Sequence, residues 1–592
     1  MVVDAASAGG ATYDVIIVGG GPGGATLGTL LKKYNPALKV LILEREVFPR
    51  DHIGESQLPP VARVLHEMGV WDKVERAGFP VKLGATYTWG KTTEPWVFGF
   101  IPNDQIGDES RPGKYEGWRT RVAFQVDRAI YDDILLKHAA EYGCEVRQGT
   151  KVTEVAFDTT KAGQRITGLT LESGEVVRGR YYVDCSGNAA VIRRRLGIEV
   201  DAPSLLKNIA FWDYYSKPGL NSSLLENKTI RILIRSLAYG WLWYIVLSDD
   251  RSSVGLVCNA EYFKKSGKKP EEIFHESLAS QPQISGLLQG AQVRGKVEST
   301  TDWSYTAQKV QGPNWFLCGE SLGFADPILS AGLTLTHTCA EHLACTILEL
   351  DRGEHEATWL RSQYETIQKR RVLQHIRFAE YWYTGNGLFD AITNNCSEIA
   401  KQSGFNLNPA DAFRWLSNGG VDDVLGQFAI GGLGLSGIKS VQQRFVHERG
   451  GDVQFQIDGA TSFKLNLRAA VNTSMAQPQQ GRIVKVPVLE RGTAKIPMIG
   501  PYSVVVECLK KAEKAEALVV ALKAKIGTFA LSSGEATAIF NQCIQCLEAL
   551  AAQGWVHCEK NPSEKALRLE AVEEGEIVYT EKLGPRSLRS RK

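Results

Sequence analysis

The residues with the clearest chemical purpose lie near the start of the chain. Gly19-Gly20-Gly21-Pro22-Gly23-Gly24 is a glycine turn, and Ala25 to Lys33 behind it has helical composition. Gly19 permits a tight turn, Gly21 lets the backbone approach a pyrophosphate, and Gly24 lets a helix pack close to its sheet. A helix starting there aims free N–H groups and the positive end of its dipole at phosphates. Glu44 follows a second short apolar run, where a carboxylate accepts from ribose hydroxyls. With Pro22, Gly23, Ala25 and Arg45, these residues predict dinucleotide binding. The bland alternative is a glycine-rich turn beside an ordinary surface glutamate. The order strand, glycine turn, helix, strand, acid decides against it.

A second set of residues selects the dinucleotide. Arg50 and Gly54-Glu55-Ser56 come soon after the acid, and Gln125 and Arg128 open a later helix. Asp184, Ser186 and Gly187 end an apolar strand. Gly319 and Glu320 end another, and Asp326-Pro327 follows. A nicotinamide-only enzyme has no need of such distant returns to one sheet. A flavoprotein does, because FAD is long and is held along its whole length, so FAD is the predicted cofactor. The eleven cysteines are scattered and odd in number, which argues against a disulfide framework in so long a chain. Cys543 and Cys546 have C-x-x-C spacing inside a helix-like stretch and read as buried structural thiols. No metal site is predicted.

Three further segments carry a family resemblance. Gly240-Trp241-Leu242-Trp243-Tyr244-Ile245-Val246 resembles the WxWxIP motif of the flavin-dependent halogenases, with Val246 where proline is usual. Lys82, in Val81-Lys82-Leu83-Gly84, falls where that family carries an essential lysine. Pro327-Ile328-Leu329-Ser330-Ala331-Gly332 falls where it binds halide beside the flavin. The resemblance covers about residues 12–385. Leu329 stands where tryptophan halogenases carry a glutamate, so the chain resembles the phenol/pyrrole branch rather than the tryptophan-type one. Glu320 replaces the aspartate common in the Gly-Asp flavin motif, a carboxylate for a carboxylate.

The resemblance implies a reaction and its parts. Reduced FAD, delivered by a separate NAD(P)H-flavin reductase, reacts with O2 to a C4a-hydroperoxide. Chloride or bromide attacks it, and the hypohalous acid formed halogenates an electron-rich aromatic, a phenol or pyrrole, free or on a carrier protein. Ser330, Ala331 and Gly332 would hold the halide through backbone N–H groups at a helix start. Lys82 would hydrogen-bond the hypohalous acid or form a haloamine, helped by desolvation that lowers an amine's pKa. Trp241 and Trp243 alternate along a strand, so both rings face one side and would partition flavin from substrate. His337, near the halide loop, reads as structural. An FAD aromatic monooxygenase and a geranylgeranyl-reductase-like flavoprotein share the glycine turn and Arg128, and a non-catalytic flavoprotein scaffold is a third reading.

Several elements must position these groups. Tyr13–Val18 and Lys39–Leu43 read as buried parallel strands, and Leu333 to Leu350 as a helix. The implied fold class is α/β, an aromatic-hydroxylase-like FAD-binding fold with an inserted substrate-domain sheet and a mixed α+β C-terminal domain. The expected boundaries are a flexible N-terminus at 1–11, a catalytic domain at 12–385 with its substrate sheet at about 189–308, a C-terminal domain at 386–581, winged-helix-like at its end, and a basic tail at 582–592. Glu507 to Ile526 and Ser533 to Ala552 read as helices. The chain has 592 residues, enough for two to four domains. Its 68 basic against 66 acidic residues exclude nucleic-acid binding through bulk charge. Ser533 to Ala552 contains no Lys or Arg, so no DNA-reading helix is expected. No run reaches the roughly 18–20 apolar residues of a membrane span, and no signal peptide precedes the glycine turn. A cytoplasmic location is expected.

Overall fold

The computed structural model describes residues 13–89, 95–101, 106–107, 110–158, 164–204, 207–226, 228–301, 304–384, 456–492, 494–531, 533–571 and 577–579. The expected N-terminal segment, the domain boundary near 385, the glycine pairs between 419 and 434 and the basic tail lie outside them. The chain divides into two compact units. One takes residues 1–392 with 429–432 and 477–484, and the other takes 393–428, 433–476 and 485–592.

Two large sheets frame the first unit, beside two three-stranded ones among the described residues. One large sheet has five parallel strands in the order Trp315–Leu317, Gly179–Asp184, Tyr13–Val18, Val40–Leu43, Glu145–Arg147. Val15, Ile16 and Ile17 in its middle strand are fully buried, as a parallel strand covered on both faces requires. From Tyr13–Val18 the chain goes first to Val40–Leu43 on one side, and only later to Gly179–Asp184 on the other. The strand order therefore reverses at the end of Tyr13–Val18, the place where open α/β sheets bind ligands. Helix Pro22–Tyr34 starts there, with Gly21 as its N-cap and no side chain capping it. Its first turn holds no acid and its last holds Lys32 and Lys33, which leaves the positive N-terminal end free for an anion.

The second sheet has nine strands. Its core order is Asn208–Ser216, Arg251–Asn259, Gly240–Val246, Thr229–Leu237, Val81–Thr88. Val81–Thr88 runs parallel to Thr229–Leu237, while the other neighbours in that order are antiparallel. The sheet thus draws in Val81–Thr88, Trp96–Gly99 and Ala123–Phe124 from outside the 189–308 interval. Edge pairing with Thr229–Leu237 brings Lys82 into it. Every residue of Gly240–Val246 is buried. Helix Gly332–Arg352 packs against Pro22–Tyr34, and helix Ala357–Thr384 packs on Gly332–Arg352.

The second unit has its own core, including Phe463, Val505, Leu518, Leu522, Cys543, Leu547 and Trp555. Cys543 and Cys546 are both buried. The single helix expected over Glu507 to Ile526 is two, Gly500–Leu509 and Ala515–Ile526. The cause is a strand that takes the backbone groups between them. Phe463 donates to the Glu513 carbonyl at 2.7 Å, and Ala515 donates to the Thr461 carbonyl at 2.9 Å. Ser533–Ala552 is one helix, and Val556–Glu559 pairs with Ser462–Leu465. Among the described residues no helix is long and apolar enough to cross a membrane.

Candidate active site

A cavity of about 760 Å³ opens at the strand reversal. Its floor is backbone. Gly19 has φ +110°, and a Cβ there would lie 2.2 Å from the Cys185 carbonyl oxygen. Gly24 packs so closely that a Cβ would lie 1.9 Å from the Gly19 oxygen. Gly21, Pro22 and Gly23 line the cavity, while Gly24 and Ala25 sit behind them as the helix's contact with the sheet. Glu44 lines it too and is nearly buried. Its carboxylate accepts from Gly20 N at 2.7 Å and from Glu46 N at 2.9 Å. Those bonds fix its orientation and leave lone pairs over. Arg45 lines the same end, with Thr150 and Lys151.

The next wall is cationic. The Arg50 guanidinium sits beside the turn, 3.7 Å from where a Gly21 Cβ would be. Arg128 donates to the Ile53 and Gly54 carbonyls at 2.9 and 3.1 Å, which holds the Gly54-Glu55-Ser56 segment. Asp132 binds both cations, Arg128 at 2.7 Å and Arg50 at 3.0 Å. Burial would raise the Asp132 carboxyl, but Arg128 and Arg50 outweigh it and hold it below the usual range. Glu55, 1% exposed, is pushed up to about 7 by burial, against hydrogen bonds from Ser253 and Tyr214. Ser186, Gly187, Gly319 and Glu320 line the opposite side, and burial raises the Glu320 carboxyl despite Arg128.

Asp184 and Asp326 do not line the cavity, and the bonds each makes explain why. Asp184 is fully buried and accepts from Ser186 N, Ser186 Oγ, Ile192 N and Arg193 N. It shapes the Ser186-Gly187 turn that does line it. Asp326 accepts from Ile328 N at 3.0 Å, Asn208 Nδ2 at 2.9 Å and the Tyr383 hydroxyl at 3.1 Å. It caps the short turn Pro327–Leu329, from which Ser330 enters the cavity wall. Ser330 has φ +57°, a left-handed conformation that a serine holds only when its surroundings impose it. Ala331 follows as N-cap of Gly332–Arg352 with no side-chain cap, so the first N–H groups of that helix carry no internal partner. Pro327, Ser330 and Gly332 line the cavity; Ala331 is buried beside them.

The nine-stranded sheet closes the last side. Trp241 and Trp243 both line the cavity, with ring centroids 5.9 Å apart. Trp241 Nε1 donates to the Tyr383 hydroxyl at 2.6 Å, and Trp243 Nε1 donates to Ser253 Oγ at 3.2 Å. Gly255 makes room for Trp243, since a Cβ there would lie 2.2 Å from the indole. Lys82 is 1% exposed and does not line this cavity. Its ammonium nitrogen lies 5.7 Å from the Phe100 ring centre, and burial alone lowers its pKa to about 7. His337 is consumed structurally. Its ring bonds Thr26 Oγ1 and the Tyr131 hydroxyl, both at 2.9 Å, and burial lowers it to about 3.

Comparison with known proteins meets this geometry. A family model described as FAD binding domain matches residues 12–379. A tryptophan 2-halogenase of Chondromyces crocatus is 29% identical over 418 residues, covering 69% of this chain and 76% of the relative. A 1H-pyrrole-2-carbonyl-[peptidyl-carrier protein] chlorinase of Pseudomonas fluorescens is 29% identical over 390 residues, covering 65% of this chain and 86% of the relative. The flavin-dependent halogenase armH2 of Armillaria mellea is 30% identical over 371 residues, covering 58% of this chain and 68% of the relative. The chain belongs to the flavin-dependent halogenases. The crystal structure of the halogenase CmlS shares the fold, with TM-score 0.68 at 24% identity over 94% of this chain and 97% of that one.

As a member of that family the halogenase uses FAD, a halide and O2, and its fold is the aromatic-hydroxylase-like FAD fold. The residues present fit FAD. Glu55 and Ser56 line the cavity, the Ser56 hydroxyl and one Glu55 oxygen are buried without a hydrogen-bond partner, and both amide atoms of buried Gln125 are likewise unpartnered. Ser56 and Gln125 are neighbours across a β-bridge. A polar ring system seated there would satisfy groups that otherwise cost about 1–3 kcal/mol each. Other lining residues escape sequence reasoning. Tyr214 and Trp212 alternate on Asn208–Ser216, and Arg294 stacks on the Tyr214 ring at 4.9 Å. The alternation Phe211-Trp212-Asp213-Tyr214 was their only signal. Tyr383, which holds Trp241 from behind the wall at the end of a long helix, had none.

Proposed function

We propose that this halogenase chlorinates or brominates an electron-rich aromatic, a phenol or a pyrrole, free or tethered to a carrier protein. Bound reduced FAD supplies the oxidising equivalents from O2 that turn halide into hypohalous acid. The chain does the rest. Uncapped N–H groups at the start of Gly332–Arg352, with the Ser330 turn, hold the halide. Trp241 and Trp243 stand as the wall that keeps the aromatic away from the flavin. Lys82 takes the electrophile. As a neutral amine it attacks hypohalous acid, releases water and becomes a haloamine. The ring then takes the halogen, and the ring proton returns to the amine.

The observation carrying this reading is the buried Lys82, whose amine is desolvated enough, with a pKa of about 7, for a substantial fraction to be neutral near pH 7. A surface lysine would stay protonated there. Leu329, buried and apolar at the halide turn, supports a substrate that needs no carboxylate to stabilise its cationic intermediate. The pyrrole-carrier chlorinase among the relatives supports the tethered form. The tryptophan 2-halogenase does not oppose it, because carbon 2 of indole belongs to the pyrrole ring.

The test is mass spectrometry of product from FAD, a separate flavin reductase, NADH, O2 and bromide or chloride. The panel includes phenols, free pyrroles, a carrier-bound pyrrole and tryptophan. Halogenated product from wild type, absent with folded Lys82→Ala, supports the reading. An oxygenated product indifferent to halide overturns it and promotes the monooxygenase.

A further inference from the structure

We propose that Cys185 and Cys318 form an oxidation site, a pair of thiols in the cavity wall that closes to a disulfide on meeting hypohalous acid. The inference rests on the reading that this site makes that oxidant.

The pair is set by strand register. Asp184 and Leu317 are partners on neighbouring parallel strands, and each cysteine comes one residue later. Cys318 N donates to the Asp184 carbonyl at 3.0 Å, so the ladder continues to the cysteines. Neighbouring strands lie about 4.8 Å apart, within the Cα separation of roughly 4.4–6.8 Å that a disulfide spans. Both side chains point to the same face. Cys185 Sγ lies 3.9 Å from where a Gly23 Cβ would be, under helix Pro22–Tyr34. The Cys318 thiol lies within electrostatic reach of both Cys185 and Cys339, and Cys339 lies on the adjacent helix Gly332–Arg352. Cys339 Sγ is in turn 3.2 Å from the Tyr364 hydroxyl.

Access is graded along this row. Cys185 and Cys318 line the cavity, while Cys339 does not. Cys185 is half-buried, and Cys318 and Cys339 are buried. Thr336 packs against the same stretch of wall, since Cβ atoms at Gly23 and Gly319 would touch it at 3.1 and 3.3 Å. Thr336 stands about one helical turn from Gly332. Oxidant that leaves the halide turn unspent therefore meets Cys185 as the more exposed of the two cavity-lining thiols.

The chemistry balances. Cys185–SH and HOX give the sulfenyl halide Cys185–S–X and water. The Cys318 sulfur attacks, the S–X bond breaks, and halide and a proton leave. Two thiols are oxidised, and the halogen is reduced to halide. A sulfenyl halide has so good a leaving group that the resolving thiol need not be ionised. Interaction with Cys185 and burial hold Cys318 as a thiol at neutral pH. The disulfide stage is reversible by thiol reductants, unlike sulfonic acid.

The experiment has two arms on FAD-loaded enzyme. In the first, one equivalent of reagent hypochlorite is added and remaining thiols are alkylated. Trypsin with a glutamate-specific protease then separates Cys185 (fragment 181–193), Cys318 (310–320) and Cys339 (321–341). We expect fragments 181–193 and 310–320 linked with the loss of two hydrogens, and no link in Cys318→Ser. Cys185 and Cys318 both left alkylatable, or Cys185 as sulfonic acid without a link, overturns the inference. In the second arm, wild type turns over with reductase, O2, bromide and catalase but no aromatic. We expect the same link, absent without bromide and removed by dithiothreitol. No link here, from enzyme that still brominates an added aromatic, overturns the inference while the halogenase reading stands. A link with hypochlorite from enzyme that makes no halogenated product marks failure of that reading alone and leaves the thiol pair supported.

Discussion

The five-stranded sheet meets the cavity with backbone, and the nine-stranded sheet meets it with side chains. On the first, Gly19, Gly21 and Gly23 bring main chain and a helix N-terminus to the cavity. On the second, Trp212, Tyr214, Trp241 and Trp243 supply the wall, and Lys82 lies buried in the same sheet. Where that backbone meets other main chain, at Gly19 and Gly24, it has no tolerance for an added atom. A side-chain surface repacks more easily, but each polar group depends on one partner. The two sheets should therefore fail differently, and substitutions can show it.

The largest effect is expected on the backbone side. Gly24→Ala puts a Cβ 1.9 Å from the Gly19 oxygen, against backbone that has nowhere to go. The helix must lift from the sheet, at a cost of about 1–3 kcal/mol or more. Gel filtration should find the variant without FAD, with a lowered Tm. Retention of FAD at wild-type affinity would break the distinction drawn between the sheets.

Next comes Lys82→Met on the side-chain side. Halogenation should fall about 100- to 1000-fold, the scale for losing one group that acts on the reacting atoms. The fold should not suffer. A Lys82 pKa of about 7 lies below that of the unfolded chain, so the unfolded state binds more protons between about pH 7 and 10. Wild-type stability gains from this group as pH rises through that window, and the variant lacks that slope. Thermal melts at pH 7 and 9 read it. In wild type, halogen transfer should rise with pH through about 7 as the amine loses its proton. A transfer rate falling over that range would instead favour the protonated lysine as a hydrogen-bond donor to hypohalous acid.

A smaller effect is expected where a glycine serves a side chain. Gly255→Ala would crowd the Trp243 indole at 2.2 Å, and a ring at a cavity wall has somewhere to move. About 1–2 kcal/mol of strain should appear as a modest drop in Tm. On the proposed role of Trp243 as part of a wall between flavin and aromatic, the clearer reading is a lower ratio of halogenated product to NADH consumed.

The same contrast decides what could be read from the sequence. The glycine turn was legible because backbone chemistry needs a particular residue type at each step, and Gly19, Gly21, Gly23 and Glu44 do line the cavity. Trp241 and Trp243 were legible because period two puts them on one face. Asp184 and Asp326 were expected to bind cofactor. They sit one layer back, because a buried carboxylate is taken first by the nearest backbone N–H groups. The break at Lys510–Lys514 was invisible because a strand distant in sequence takes its hydrogen bonds. Tyr383 was invisible because a tyrosine on a long polar helix carries no periodic signal.

Tyr383 also gives the finest test. Its hydroxyl accepts from Trp241 at 2.6 Å and donates to Asp326 at 3.1 Å, so it joins the tryptophan wall to the cap of the Pro327–Leu329 turn proposed to hold halide. Tyr383→Phe leaves the Trp241 N–H unpaired and removes one donor from the carboxylate, a loss of about 1–3 kcal/mol. Burial already raises Asp326 to about 6, against hydrogen bonds from Ile328 N, Asn208 and Tyr383. Losing Tyr383 raises it further. The unfolded pKa is unchanged, so the carboxylate's share of the loss is full only where Asp326 is ionised in both proteins. That share disappears below about pH 6, where the carboxyl is protonated in both. The Tm gap between wild type and Tyr383→Phe should therefore be wider at pH 8 than at pH 5. At pH 8 the variant's KM for bromide should rise more than its kcat falls, because the halide turn is what loosens. A gap independent of pH would show that the hydroxyl serves Trp241 alone and that the halide turn stands without it.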